Sequence, residues 1–134
     1  MVTRLRGLKK PIYLISPNKI YPNFYSDLDK VLSSKKVSFF QLRLKKLADN
    51  EIIKIGNKIK PITKKHKVFF LINDSYKIAK KIKADGCHLG QKDGLTTNAF
   101  KLLGNKIIGI TCHNSKVFAE KAIKDNATYL AFEI

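Results

Sequence analysis

The sequence predicts an α/β fold built on a parallel sheet. Three observations predict it: segments of period two alternate with segments of period 3.6, strand-like runs begin near residues 12, 37, 67, 86, 106 and 128, and polar side chains gather just after several of those runs. Strands alternating with helices imply parallel pairing through right-handed crossovers, and a spacing of about 20 to 30 residues suits a βα unit. Two architectures satisfy this rhythm, an open doubly wound sheet and part of a (β/α)8 barrel. No Gly-x-Gly-x-x-Gly follows the first strand, so a dinucleotide fold has no positive support.

Each element has its own local reason. Residues 12–16 read as a strand ended by Pro17, and residues 23–34 as a helix with Phe24, Leu28, Val31 and Leu32 on one face. Residues 37–45 form the second strand. Residues 48–65 form the second helix, with Ile52, Ile55 and Ile59 at helical spacing and Pro61 bending or ending it. Residues 67–72, rich in aromatic and branched side chains, form the third strand. A short helix follows over 75–83, a strand over 86–89 and a helix over 98–103. The fifth strand covers 106–110, a helix covers 115–125, and residues 128–132 start a sixth strand.

The chain has 134 residues, which suits one domain, taken here as 1–134. Hydrophobic residues make up 44% and charged ones 28%, enough for a core and too apolar for global disorder. The longest uninterrupted apolar run, Val68 to Ile72, is five residues, far too short for a bilayer. The first ten residues are basic but lack a following signal-peptide stretch, so a soluble cytoplasmic protein is expected. A closed eight-unit barrel needs about 200 residues or more. A barrel in this chain would therefore be incomplete, with about five βα units and the start of a sixth strand.

Net charge is +17, from 27 basic and 10 acidic residues. Of the basic residues, 24 are Lys and three are Arg, namely Arg4, Arg6 and Arg43. The lysines are dispersed, with no basic run of five and no interleaved aromatic platform, which disfavours a dedicated nucleic-acid surface. Cys87 and Cys112 each precede a histidine, and without a secretion signal both are expected as reduced thiols. On a strand, neighbouring side chains point to opposite faces, so each Cys-His pair offers at most one ligand to a shared zinc site.

The chemistry-bearing residues sit at strand ends. Gln41, Arg43 and Lys45 share one face of the second strand. Three polar groups converging there are costly in a covered parallel sheet unless they bind something, and amide, guanidinium and ammonium together suit a phosphate or diphosphate. A chain that otherwise uses Lys has placed an Arg here, where a planar bidentate donor matters. Asn73-Asp74 follows the third strand and His88-Leu89-Gly90-Gln91-Lys92-Asp93 the fourth, placing two carboxylates where α/β folds build sites. Asp74 and Asp93 beside a cationic strand end are what a Mg²⁺–diphosphate site needs. Singly, Asp74 could equally cap the next helix, and Asp93 could be a turn residue beside Gly94. Thr111 and His113 end the fifth strand at the same side of the sheet.

Five segments resemble the thiamine phosphate synthases in content and order: Tyr13-Leu14-Ile15-Ser16-Pro17, Gln41-Leu42-Arg43-Leu44-Lys45, Ile72-Asn73-Asp74, Asp85-Gly86-Cys87-His88-Leu89-Gly90-Gln91-Lys92-Asp93 and Ile108-Gly109-Ile110-Thr111-Cys112-His113. The resemblance runs from about Pro11 onward, and the His-Leu-Gly-Gln-x-Asp piece is its most specific part. It implies a (β/α)8 TIM barrel and a transferase that joins an aminopyrimidine methyl diphosphate to a thiazole phosphate with Mg²⁺, releasing diphosphate. It further implies that Gln41, Arg43, Lys45 and Asn73 bind the diphosphate and that Asp74 and Asp93 hold Mg²⁺. His88 would lie against the pyrimidine, and Thr111, where the family commonly has Ser, would contact diphosphate. No general base is required. The implied partners are these small molecules and a second copy of the chain, with no specific nucleic acid and no membrane.

The sequence departs from the family pattern at Ser75, where Arg is usual, and at Glu133, where the sixth strand normally continues into glycine. With Ile134 the written chain ends before the loop and strands that bind the thiazole phosphate. A truncated member with little or no synthase activity alone is therefore expected. The alternatives are a thiazole tautomerase of the same fold, a non-catalytic remnant that folds only with a complementing chain, and a charge-driven nucleic-acid binder.

Overall fold

A computed structural model of the chain describes residues 9–93 and 96–133. Arg4, Arg6, Gly94 and Ile134 lie outside them, as do the basic N-terminal segment and the point at which the written chain ends. The elements are β1 (Ile12–Ile15), α1 (Phe24–Leu32), β2 (Val37–Leu42), α2 (Asp49–Lys65), β3 (Phe69–Asn73), α3 (Tyr76–Lys81), β4 (Gly86–Leu89), α4 (Thr96–Leu103), β5 (Ile107–His113), α5 (Lys116–Lys124) and β6 (Tyr129–Phe132).

All strand pairs are parallel, and the order in the sheet is the order in the chain, β1-β2-β3-β4-β5-β6. That order decides between the two architectures. A doubly wound sheet reverses direction at a switch point, whereas a barrel adds each strand beside the last. The sheet is also strongly curled. Six strands laid flat would put β1 and β6 about 24 Å apart, yet the Tyr13 and Tyr129 hydroxyls of those strands are 2.5 Å apart. The fold is an incomplete (β/α)8 barrel.

Alternation along the strands sorts side chains to the two faces. Phe40, Phe70, Ile72, Cys87, Leu89 and Ile108 pack outward against Leu28 and Leu32 of α1, Ile59 of α2 and Ala79 of α3. Inward, Tyr13 stacks on Phe39 and Phe39 packs tilted against Phe69, each pair with ring centroids 5.4 Å apart. Gly86 is required where β4 meets β5, because a Cβ there would collide with the Ile107 carbonyl.

Helix ends follow one rule. After α2, α3 and α5 the chain enters a left-handed residue, Lys67, Lys83 and Asn126. In each case two backbone bonds close the last turn, such as Lys67 N–H to the Lys64 carbonyl and Val68 N–H to the Thr63 carbonyl. Lys35 after α1 and Gly104 after α4 are left-handed as well.

Two strand ends and one helix face differ from the sequence reading, and β5 runs to His113 rather than stopping at residue 110. Strand β2 stops at Leu42, not residue 45, because the Arg43 N–H turns to Ser16 Oγ at 2.8 Å. Pro61 does not end α2, which continues to Lys65. Pro61 and Asn57 one turn earlier are both exposed, so losing the proline's N–H donor strands no acceptor in the core. Val31 lies off the buried face of α1 and is 46% exposed, while Phe24, Leu28 and Leu32 are buried.

Candidate active site

A cavity of about 590 Å³ opens at the carboxyl ends of the strands. Gln41, Arg43 and Lys45 line it from β2 and its extension, Asn73 and Asp74 from β3, His88 and Gly90 from β4, Thr111 and His113 from β5, and Tyr129 from β6. Seven of the eight residues singled out in the sequence for substrate and metal therefore line one cavity. The eighth, Asp93, sits behind it, where its Oδ2 accepts from the Gly90 N–H at 2.6 Å.

The cationic arm is held by its backbone. Ser16 N–H donates to the Gln41 carbonyl at 2.9 Å, Arg43 N–H to Ser16 Oγ, and Lys45 N–H to the Asn18 carbonyl at 3.3 Å. The loop after β1 thus fixes the segment while leaving both cationic side chains for the cavity. Gln41 is different. It is only 3% exposed, and its Nε2 donates to the Tyr13 hydroxyl at 2.8 Å, so it belongs to the cavity floor.

Asp74 takes a left-handed backbone at φ 68°, with its N–H donating to the His88 carbonyl at 2.8 Å. It does not cap α3. Ser75 does so, its hydroxyl accepting from the Ile78 N–H at 3.1 Å, which gives that departure from the family pattern a structural task. Burial holds the Asp74 carboxyl above its ordinary range. The neighbouring Asp93 carboxylate pushes the same way, and Lys45 and Arg43 oppose both. Two carboxylates forced together next to two cations form a hard-oxygen donor pair. No group of three His, Cys, Asp or Glu side chains able to hold a metal occurs among the described residues. Mg²⁺ needs no more than one or two carboxylates when water and substrate phosphate complete its shell, so the pair fits that ion.

His88 is held below the usual imidazole range by burial. Asp93 counteracts this, and Arg43 adds to the lowering. Its Nδ1 lies 2.8 Å from the Tyr129 hydroxyl and its Nε2 2.7 Å from Thr111 Oγ1. Cys87 and Cys112 are buried on the opposite face, and burial pushes the Cys87 thiol up to about 12. His113 lies at the rim, with Nδ1 3.4 Å from Glu133 Oε2.

Tyr13 and Tyr129 were not singled out as site residues by the sequence. They are 116 positions apart, and no local pattern joins them. The available signal was Gly109, because glycine inside a strand marks a close approach, and it leaves the space that the Tyr129 ring fills.

The sequence model of the thiamine monophosphate synthase family matches residues 12–133. The chain belongs to that family. It is 65% identical over 125 residues to the thiamine-phosphate synthase of Pelagibacter ubique (strain HTCC1062), covering 92% of this chain and 60% of that protein. It is 39% identical over 124 residues to the thiamine-phosphate synthase of Erythrobacter litoralis (strain HTCC2594), covering 90% and 58%. Among solved structures it resembles the thiamine phosphate pyrophosphorylase from Pyrococcus furiosus, with a TM-score of 0.80 and 26% identity over 91% of this chain and 59% of that one. The chain thus spans about 60% of the length of these thiamine monophosphate synthase relatives. No helix among the described residues is long and apolar enough to cross a membrane.

Proposed function

We propose that this chain supplies the pyrimidine-diphosphate and Mg²⁺ half of a thiamine phosphate synthase site. The observation that carries the reading is the placement of Arg43 and Lys45 beside the paired carboxylates Asp74 and Asp93, over a cavity that also presents a half-buried histidine. A cation pair next to an acidic pair is suited to holding a metal–diphosphate, since each sign finds its complement.

In this reading Arg43 and Lys45 grip the diphosphate, with Asn73 at the neighbouring strand end and Thr111 across the cavity. Asp74 and Asp93 hold Mg²⁺, which when bound shares the phosphate charge and eases departure of the diphosphate. The bond from the pyrimidine methylene carbon to the diphosphate oxygen breaks, and the electron pair leaves with the oxygen. The methylene cation is then captured by the thiazole nitrogen, forming the new carbon–nitrogen bond of thiamine phosphate. His88, half-buried and favoured in its neutral form, lies against the pyrimidine without adding a second positive charge near the cation. Gln41 shapes the floor. Positioning and charge stabilisation supply most of the acceleration.

The test is binding of the aminopyrimidine methyl diphosphate to this chain by calorimetry, with and without Mg²⁺. The reading expects binding that requires the ion. Binding indifferent to Mg²⁺, or none at all, overturns it, and binding of a thiazole phosphate alone would favour a tautomerase.

A further inference from the structure

We propose that Tyr13 and Tyr129 form a one-way hydrogen-bond relay that fixes neutral His88 as its Nε2–H tautomer, with Tyr129 the positioning residue. The relay runs Gln41, Tyr13, Tyr129, His88, Thr111, with successive separations of 2.8, 2.5, 2.8 and 2.7 Å. Its inner members are ambivalent: a phenol, an imidazole and a threonine hydroxyl can each donate or accept. Gln41 Nε2 cannot, because an amide nitrogen only donates. The Tyr13 oxygen therefore accepts from Gln41, and its single proton goes to Tyr129, the other hydrogen-bond partner of that hydroxyl among the described residues. Tyr129 in turn gives its proton to His88 Nδ1. An imidazole that accepts at Nδ1 carries its proton on Nε2, which donates to Thr111 Oγ1. Thr111 is left with one proton, which must go to an acceptor other than His88, and Thr111 lines the cavity.

Direction set at a buried amide on β2 thus reaches a hydroxyl on β5 by way of both outer strands. Only the last consequence rests on the proposed function: the recipient of the Thr111 proton would be a diphosphate oxygen.

The relay is read directly from ¹⁵N spectra of the imidazole nitrogens in the labelled chain without substrate, at a pH where His88 is neutral. Its signals are assigned by their loss in His88→Asn. The wild type is expected to show a protonated Nε2 and an unprotonated Nδ1. Tyr129→Phe keeps the ring and removes the donor, and should lower the Nε2–H to Nδ1–H ratio by about tenfold, the worth of one neutral hydrogen bond. Thr111→Val should leave the wild-type tautomer in place. An Nδ1–H tautomer in the wild type overturns the relay whatever the variants do. So does a tautomer that responds to Thr111→Val but not to Tyr129→Phe. No substrate enters the measurement, so a failure of diphosphate binding leaves its outcome untouched.

Discussion

The ring of Tyr129 lies over Gly109 on the neighbouring strand, in the space a side chain at position 109 would need. Any Cβ there collides with the phenol ring, so this glycine is what lets a β6 residue reach His88 on β4 and Tyr13 on β1.

Gly109→Ala should therefore expel the Tyr129 ring and cost about 1–3 kcal/mol of stability through overpacking. In a Tyr129→Ala background the same substitution should cost little, because the collision is gone. Denaturant midpoints of the four proteins in this cycle measure the coupling. Additive effects would show that the two positions do not compete for the same space.

Arg43→Ala should weaken diphosphate binding by about a hundredfold, and Arg43→Lys by about tenfold, since charge survives there while the planar fork is lost. Neither should move the melting temperature much, because the contact that secures this segment is made by the Arg43 N–H with Ser16. Calorimetry of binding beside a thermal melt separates the two effects.

Asp74 should oppose folding at neutral pH, because burial and the Asp93 carboxylate disfavour its charged form. A carboxyl whose folded pKa is raised favours the folded state at low pH, and that advantage is lost as pH climbs from the unfolded value near 3.9 through the folded one. Asp74→Asn, which tolerates the left-handed backbone, should raise the melting temperature at pH 7. Mg²⁺ alone should stabilise the wild type and not the variant. A variant that melts lower, or still responds to Mg²⁺, would contradict this.

Asp93→Asn in a version carrying the complete barrel should abolish Mg²⁺-dependent turnover without unfolding the protein, since the amide oxygen can still accept from Gly90 N–H. Unchanged turnover would leave Asp93 as a turn residue only.

On the outer surface the sign is reversed. The hydrogen bond to His66 and, after it, Lys65 hold the Asp29 carboxyl below its ordinary range. This pairing of α1 with the end of α2 contributes stability above the unfolded value and loses it as pH falls through the folded one. Asp29→Asn should lower the melting temperature at pH 6 and flatten its decline below about pH 5.

Much of the fold was legible in the sequence because each βα unit carries its own local signals: strand period, helix period, and a cap such as Ser75 or Ser115. The strand ends were less so. Residues 43–45 keep the alternation of a strand, and only the distant Ser16 hydroxyl shows why pairing stops at Leu42. Val31 sits at helical spacing from Phe24 and Leu28, but the width of the buried stripe is set by what packs on it, and nothing covers Val31 fully. The ionic half of the candidate site was visible because charged residues at strand ends are conspicuous. Its aromatic floor was not, since Tyr13 and Tyr129 read as ordinary strand residues until curvature brings β6 to β1.

Lysine stands where helix ends favour glycine, at positions 67 and 83. A side chain in the left-handed region costs roughly 1–2 kcal/mol, partly offset by the lower chain entropy it leaves to the unfolded state. Lys67→Gly and Lys83→Gly should each stabilise the protein by about 0.5–1 kcal/mol in denaturant melts. These turns precede their strands, whereas the cavity follows them. The turns that set stability and the candidate site therefore lie at opposite rims of the same incomplete barrel, so substitutions at one rim should leave the other undisturbed.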